Sequence, residues 1–211
     1  MSADVSRPNT RVGRLAERAR SDAGTIEAIL DAAYVAHVGV VVDGAPVVMP
    51  YACARVGDEL VLHGSTLAGI LSTVASGARI CATVTHLDGL VLARSAFHTS
   101  MNYRSAVVHG VARVVEDAAE KAQLLDAFVD RVLPGRRAAL RAMTRGELDA
   151  TRVVALRLDA VSAKVREGGP KEPGEDLLPH VWGGVIPLAL TFGEPQPDAT
   201  TAPDVTLEAL G

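Results

Sequence analysis

The sequence lacks the features that mark several large classes of protein. No apolar run reaches the roughly 18 to 20 residues that span a bilayer, and the polar N-terminus has no signal-peptide core. The basic residues are scattered and the net charge is -4, so there is no electrostatic footprint for DNA or RNA. We therefore expect a cytosolic (cytoplasmic) protein that binds neither a membrane nor nucleic acid.

Cysteine and the common catalytic motifs are also scarce. The two cysteines, Cys53 and Cys81, form no CxxC pair, so each is expected to be a buried, reduced thiol. The six histidines show no HxH or HxxxH spacing, and no cluster of cysteines or carboxylates completes a ligand set, so we expect no metal site. The absence of GxGxxG, GxxxxGK[ST] and GxSxG leaves Rossmann, P-loop and esterase folds without support.

What the sequence does contain is enough apolar material for one large domain. Its 211 residues are 48% hydrophobic. We place a loose N-terminal arm at residues 1–23, the domain itself at 24–190 and a C-terminal tail at 191–211. A helix capped by Thr25 begins the domain.

Strand-like runs joined by short turns dominate the rest of the chain. Asp43-Gly44 and Asp88-Gly89 suit the positive φ angles of two-residue hairpin turns, which predicts hairpins of residues 35–56 and 79–95. Helices are expected at 67–75 and 117–132, Thr144 and Glu147 have capping-box spacing, and 151–165 is predicted as the final strand. Because hairpins dominate, we predict a mainly β fold with flanking helices, whose antiparallel sheet closes into a barrel.

The first candidate site follows the strand that begins at Glu59. His63, Gly64, Ser65 and Thr66 lie where this strand meets a small-residue helix, so free amides and two hydroxyls can converge on a phosphate. A helix end alone contributes only about 0.3–1 kcal/mol toward an anion, so a full charge must also be supplied. Arg104 or Arg79 could supply it. The alternative is that Ser65 or Thr66 merely caps the helix.

The second candidate site lies in residues 95–110, where polar side chains crowd an apolar strand. Alternation places Asn102 and Arg104 on one side of the strand, and Tyr103 and Ser105 on the other. Buried without partners, such groups would cost several kcal/mol, which favours a ligand or a subunit contact. An interface ion-pair cluster without ligand is the alternative. Trp182 is either a core aromatic or a wall for a stacked ring.

The sequence resembles a known family in the order and spacing of six short blocks. These blocks are residues 48–51 (VMPY), 62–65 (LHGS), 83–98 (TVTHLDGLVLARSAFH), 100–105 (SMNYRS), 162–166 (SAKVR) and 182–187 (WGGVIP). The resemblance is to the FMN-binding split β-barrel proteins related to pyridoxamine 5'-phosphate oxidase, in the branch that includes nitroimidazole-resistance reductases. The blocks cover most of residues 25–190.

This resemblance implies an antiparallel split β-barrel that forms a homodimer and holds FMN at the subunit interface. The cofactor-binding positions that it implies are Met49, Pro50, Tyr51, His63, Gly64, Ser65 and Thr66, with Tyr103, Arg104, Ser105 and Trp182 from the partner. His63 is the position similar to a histidine near the flavin in the nitroimidazole-resistance relatives. At 67–70 the relatives carry Arg or Lys where this chain reads LAGI, so Arg104 or Lys164 would have to compensate.

The implied function is that of an FMN-dependent oxidoreductase. It would pass electrons from NAD(P)H or another reductant to a small organic acceptor. Pyridoxamine phosphate oxidation itself is not expected, because the arginine-containing C-terminal segment of the true oxidases is replaced here by TLEALG. The alternatives are a protein that binds or stores flavin, deazaflavin or haem without turnover, and a structural dimer without ligand.

Overall fold

The computed structural model describes residues 10, 13, 15–67, 69–202, 204, 205 and 207. The strands are β1 (Ala19–Arg20), β2 (Val35–Val42), β3 (Ala45–Val56), β4 (Glu59–Ser65), β5 (Arg79–Leu92), β6 (Ser100–Val111), β7 (Arg113–Val114), β8 (Thr151–Arg157), β9 (Val161–Arg166) and β10 (Gly184–Pro187). The helices are α1 (Ala23–Asp31), α2 (Gly69–Ala75), α3 (Ala118–Val132) and α4 (Arg145–Ala150). The first nine residues of the predicted arm and the last residues of the predicted tail lie outside the described residues.

The β2–β3 hairpin is confirmed with its predicted turn. Asp43 and Gly44 adopt φ angles of 51° and 80°, and the two strands pair antiparallel from Val42↔Ala45 outward. Such a turn matches the twist of the strands it joins, so the local sequence fixes the register between β2 and β3.

The second predicted hairpin is wrong. Asp88-Gly89 makes no turn, because β5 runs unbroken through it and takes up the extra residue as a bulge between Leu87 and Gly89. The bulge lets one strand continue along β6 and then along β10, which pairs with its second half. Residues 95–99 make the turn into β6 instead.

Two smaller predictions also need correction, and a third is confirmed. Thr25 does not cap α1; the side chain of Asp22 does, accepting a hydrogen bond from the Thr25 amide at 2.8 Å. The stretch 151–165 forms two strands, β8 and β9, and β10 follows them. The capping box is confirmed: Thr144 and Glu147 bond each other's backbone amides at the start of α4.

All pairings described in the sheet are antiparallel, which confirms the fold class. The strand order is β1-β9-β6-β5-β2-β3-β4-β8-β7, with β10 attached to β5. The first and last strands of this order do not pair, so the predicted closure into a barrel is wrong and the sheet is open. Its two ends curl toward each other without pairing: an added Cβ at Gly110 of β6 would lie 2.8 Å from the Leu156 side chain of β8. The two open edges of the sheet are the two-residue strands β1 and β7, which do not pair with each other.

Two apolar cores lie on opposite faces of the sheet. The larger one fills the inside of the curled sheet and includes α1 and α2, with Leu30, Leu62 and Leu71 fully buried. The smaller one lies between the other face of β4 and β8 and helices α3 and α4, and contains Leu124 and Val153. No described helix is long and apolar enough to cross a membrane.

Candidate functional site

The sheet has an inner face, which encloses the larger core, and an outer face. On β2 the buried residues Ala36, Val38 and Val40 point inward, so Val35, His37, Gly39 and Val41 point outward. Helices α3 and α4 cover the outer face over β4 and β8. Over β2 and the first half of β3 that face is open, with Val41 62% and Val48 61% exposed.

The predicted positions on β3 divide between the two faces. Tyr51 pairs with Ala36 and Met49 with Val38, so both share the inner face, and Pro50 pairs with His37 on the outer face. An added Cβ on Gly64 would lie 2.8 Å from the Leu71 side chain and 3.5 Å from the Tyr51 ring. This packing explains the glycine, and burial raises the pKa of Tyr51.

His63 lies on the outer face beneath α3. Its ring packs edge-on against Phe128, with 4.4 Å between ring centroids and 67° between planes. Burial lowers the pKa of His63, which favours the neutral imidazole. A packed position under a helix does not suit a group that must meet substrate, so the geometry gives little support to His63 as a catalytic residue.

Ser65 and Thr66 have partners of their own within the chain. Ser65 Oγ accepts a hydrogen bond from the Leu67 amide at 3.2 Å, and the Thr66 amide donates to the Ala150 carbonyl at 3.0 Å. The following helix α2 has seven residues and no basic side chain. Sequence reasoning missed the cation nearest to this segment in the sheet register, Arg152, which lies opposite Gly64 in the β4–β8 pairing.

Arg104 is held by a carboxylate on the bulge of β5. Its Nε and Nη2 donate to the two oxygens of Asp88, both at 2.9 Å. Arg104 points to the face of the buried Ala106, and it lines a cavity of about 600 Å³ together with Tyr34, Arg131 and residues 188–192. Tyr103 and Ser105 point to the other face, as the alternation predicted.

The polar pair predicted at the start of β6 finds partners inside the chain. Asn102 is 9% exposed and its amide oxygen accepts a short hydrogen bond from Arg166, which is 6% exposed. Arg166 also donates to the carbonyls of Gly168 and Gly169, both at 3.2 Å, while its Nε has no partner among the described atoms. Burial lowers the pKa of Arg166, and this arginine fastens the loop after β9 to the sheet.

Trp182 lies in the loop before β10. Its ring is 62% exposed and covers Gly184, where an added Cβ would approach it to 2.9 Å, so it is not a core aromatic. The preceding loop is fastened through the ion pair of Arg94 with Glu172 at 2.8 Å. Trp182 therefore remains available as a surface for a ring or for another subunit.

The predicted positions form two groups within one chain. The β3–β4 group consists of Met49–Tyr51 and His63–Thr66, and the β6 group consists of Tyr103–Ser105. Strands β2 and β5 lie between the two groups in the strand order. Between the groups lie three outer-face residues that sequence reasoning did not select, His37, Thr83 and Thr85: His37 pairs with Thr83, and Thr85 pairs with the predicted Ser105. Their shared face follows from long-range register, which no local motif reveals.

Comparison with known proteins identifies the family. The family model for pyridoxamine 5'-phosphate oxidase matches residues 22–165, which is most of the chain. The chain belongs to the pyridoxamine 5'-phosphate oxidase family. Its fold is the flavin-binding split barrel that the sequence predicted, with an open sheet. No curated protein sequence is significantly similar to the chain.

Solved structures within this fold include two that are similar in sequence. The flavocytochrome Anf3 from Azotobacter vinelandii is 40% identical, with a TM-score of 0.88 over 95% of this chain and 93% of that one. The FAD and haem binding protein from Mycobacterium smegmatis is 42% identical, with a TM-score of 0.87 over 90% and 93%. A Bacteroides thetaiotaomicron protein assigned to 5-nitroimidazole antibiotic resistance shares the fold at 23% identity, with a TM-score of 0.60 over 70% and 86%.

Proposed function

We propose that this member of the pyridoxamine 5'-phosphate oxidase family binds a flavin nucleotide on the open part of its outer face and uses it to transfer electrons. The composition of that surface carries the proposal. Val35, Val41 and Val48 are 46%, 62% and 61% exposed, beside His37 and the hydroxyl of Thr83. A flat ring with an apolar body and a polar edge needs this mixture, and exposed apolar patches of this kind mark binding surfaces.

The proposed state is a homodimer with flavin between the subunits. In a two-fold dimer the same patch on both chains meets itself, so the β3–β4 group of one chain can face the β6 group of its partner. That arrangement would unite Pro50 and Ser65 of one protomer with Tyr103, Ser105 and Trp182 of the other.

The sequence favours FMN, whereas the Mycobacterium smegmatis relative is named for FAD. Both nucleotides carry the same ring and a first phosphate, so the ring position proposed here serves either one. The flavin supplies the hydride and electron chemistry, and the protein orients the ring and controls access to it. Mass spectrometry of the ligand released from the purified protein will identify the nucleotide.

The decisive experiment is an absorption spectrum followed by anaerobic reduction. We expect a yellow protein whose flavin band is bleached by NADH or NADPH and restored by a small organic oxidant. A flavin band that neither donor bleaches would favour a binding protein without turnover. A colourless protein that gains no thermal stability from FMN or FAD would contradict the proposal.

Haem binding beside the flavin is a second candidate function, favoured by the flavocytochrome and haem-binding names of the two relatives. A haem iron takes a neutral imidazole as ligand. His86 is engaged at Nε2 with the Ile29 carbonyl at 2.9 Å. In the part of the chain that the structure describes, the rings of His37 and His109 on the outer face have no hydrogen-bond partner.

The haem candidate has its own test. A pyridine haemochrome assay on protein produced with added haem will show whether haem is retained. Loss of the Soret band in His37→Ala or His109→Ala, with the band kept in the exposed-loop control His180→Ala, will identify the ligand. Retention of the band in both outer-face variants would exclude these two residues.

A further inference from the structure

A small cavity lies between the end of β4 and the start of β8. Its volume is about 250 Å³, many times the roughly 10–15 Å³ that a cavity needs to hold one water molecule. The lining includes three cations, Lys121, Arg145 and Arg152, and two carboxylates, Glu116 and Asp149. Asp149 is engaged with Arg145 at 3.0 Å, so the lining as a whole has an excess of positive charge.

Of the three cations in this lining, Arg145 is paired with Asp149, and Lys121 donates to the carbonyls of Leu148 and Thr151, both at 3.1 Å, which leaves Arg152 as the one most available to a ligand. Its Nη1 donates to the hydroxyl of Ser72 on α2 at 2.8 Å, and it makes no ion pair with any carboxylate that the structure describes. A guanidinium carries five N–H donors, and among the described residues only the Nη1 bond to Ser72 uses one of those on Arg152. The bond to Ser72 orients the group, which lowers the entropy lost on binding an anion.

The position of Arg152 matches the segment in which the sequence predicts a phosphate. In the β4–β8 pairing Arg152 lies opposite Gly64 and Thr151 lies opposite Ser65. Thr66 lines the same cavity as Arg152, and its amide is held to the neighbouring Ala150 carbonyl at 3.0 Å. By alternation Arg152 shares the inner face with Gly64, but it is the second residue of β8, so its guanidinium lies at the end of the sheet, where it contacts Ser72 and lines the cavity with Thr66. The segment and the charge that it requires are therefore adjacent at the sheet end.

The arginine that the sequence favoured for this role is placed less well. Whichever subunit supplies Arg104, its guanidinium is occupied by both carboxylate oxygens of Asp88 at 2.9 Å. Binding a phosphate there would require breaking a two-point ion pair within the same chain. Arg152 makes no ion pair of this kind with a carboxylate in the described part of the chain.

We propose that Arg152, together with Thr66, binds the phosphate ester of the bound flavin nucleotide. This inference rests on the proposed function and assigns the cation that the family resemblance leaves open at 67–70. Arginine suits the role because its planar fork matches two phosphate oxygens at once.

The test compares FMN with riboflavin, which has the same ring and no phosphate. Binding to the full chain, freed of any bound flavin, is measured by fluorescence quenching for the wild type, Arg152→Gln, Arg152→Lys and Arg157→Gln. Arg157 is the matched control, since it lies on the same strand and is engaged with Asp58 and Asp159 at 2.9 Å. A second measurement records the thermal midpoint with inorganic phosphate alone.

We expect Arg152→Gln to lose about tenfold or more in FMN affinity, the usual worth of a charge-assisted hydrogen bond, and to bind riboflavin like the wild type. Arg152→Lys should recover part of the loss, and Arg157→Gln should match the wild type. An Arg152→Gln variant that still prefers FMN to riboflavin as strongly as the wild type would overturn the inference while flavin binding stands.

Two other outcomes also count against it. If inorganic phosphate stabilises the wild type over Arg152→Gln while the FMN preference is unchanged, the cavity binds free phosphate and the flavin assignment is overturned. If the wild type binds neither FMN nor riboflavin, the proposed function itself fails. The two failures are therefore distinguishable.

Discussion

Gly64 occupies a position on β4 with no room for a larger side chain. Its missing Cβ leaves space for the Tyr51 ring and for Leu71, a fully buried residue of α2. We expect Gly64→Ala to lower the free energy of unfolding by about 1–3 kcal/mol, the usual cost of overpacking a core. Chemical denaturation will measure it. Gly69→Ala is the control, since nothing lies within 4 Å of its added Cβ, and an equal loss in both variants would contradict the packing argument.

His63 links stability to pH through its burial against Phe128. Its pKa is lowered in the folded state, so the unfolded chain binds more protons as the pH falls below the ordinary histidine value of about 6.5. The free energy of unfolding should therefore decrease as the pH is lowered through this range. In His63→Leu the decrease should be smaller, whereas the exposed His180→Asn should follow the wild type. Identical pH profiles for all three proteins would contradict this origin.

At the scale of elements, the capping box fixes the start of α4, the short helix that leads into β8. Thr144 Oγ1 accepts a hydrogen bond from the Glu147 amide at 3.3 Å, and the Glu147 carboxylate accepts one from the Thr144 amide at 2.7 Å. We expect Thr144→Ala to cost about 1 kcal/mol of stability, as for other N-caps. Thr73→Ala, within α2, is the control and should cost less. Thermal unfolding of the two variants will decide it.

The two Asp-Gly dipeptides show how far sequence reasoning reaches at this scale. Asp43-Gly44 makes a turn because Val42 and Ala45 on either side pair with each other, and the other described pairings of β2 and β3 lie farther along the strands. The same dipeptide at 88–89 becomes a bulge because β6 and β10 both pair with the strand that passes through it. Local turn chemistry is identical in the two places, and long-range pairing decides between them.

The candidate site was predictable only in part, because local sequence shows its polar segments but not the long-range pairing that brings residues together. The crowded polar segments at 63–66 and 102–105 were visible in the sequence, because polar groups on apolar strands stand out. Arg152 was not, because its relation to Gly64 exists only once β8 pairs with β4 across nearly ninety residues of chain. Alternation alone places Met49 and Pro50 on opposite faces, but which of them faces the core depends on register with β2.

At the scale of the whole molecule, the open outer face predicts self-association. Val48 is 61% exposed on β3, where a charge would lie in the proposed dimer interface. We expect Val48→Glu to shift the protein toward monomer and to weaken flavin binding together with it, because the proposed site needs both chains. Sedimentation velocity and flavin titration will measure the two effects.

The control for this prediction is Val132→Glu, at the end of α3 and 44% exposed, which should leave both properties unchanged. A wild type that sediments as a monomer yet binds flavin normally would contradict the dimeric site. Equal behaviour of the two variants would show that Val48 is not at the interface.

Strands β4 and β8 belong to both cores, since Leu62 and Val154 pack inside the sheet while Val61 and Val153 pack beneath α3. Neither core can open without exposing the other side of the same two strands. In deuterated solvent, the amides of this pair should therefore be the last to exchange, at a rate set by global unfolding, while those at the open edge strands β1 and β7 exchange through local fraying.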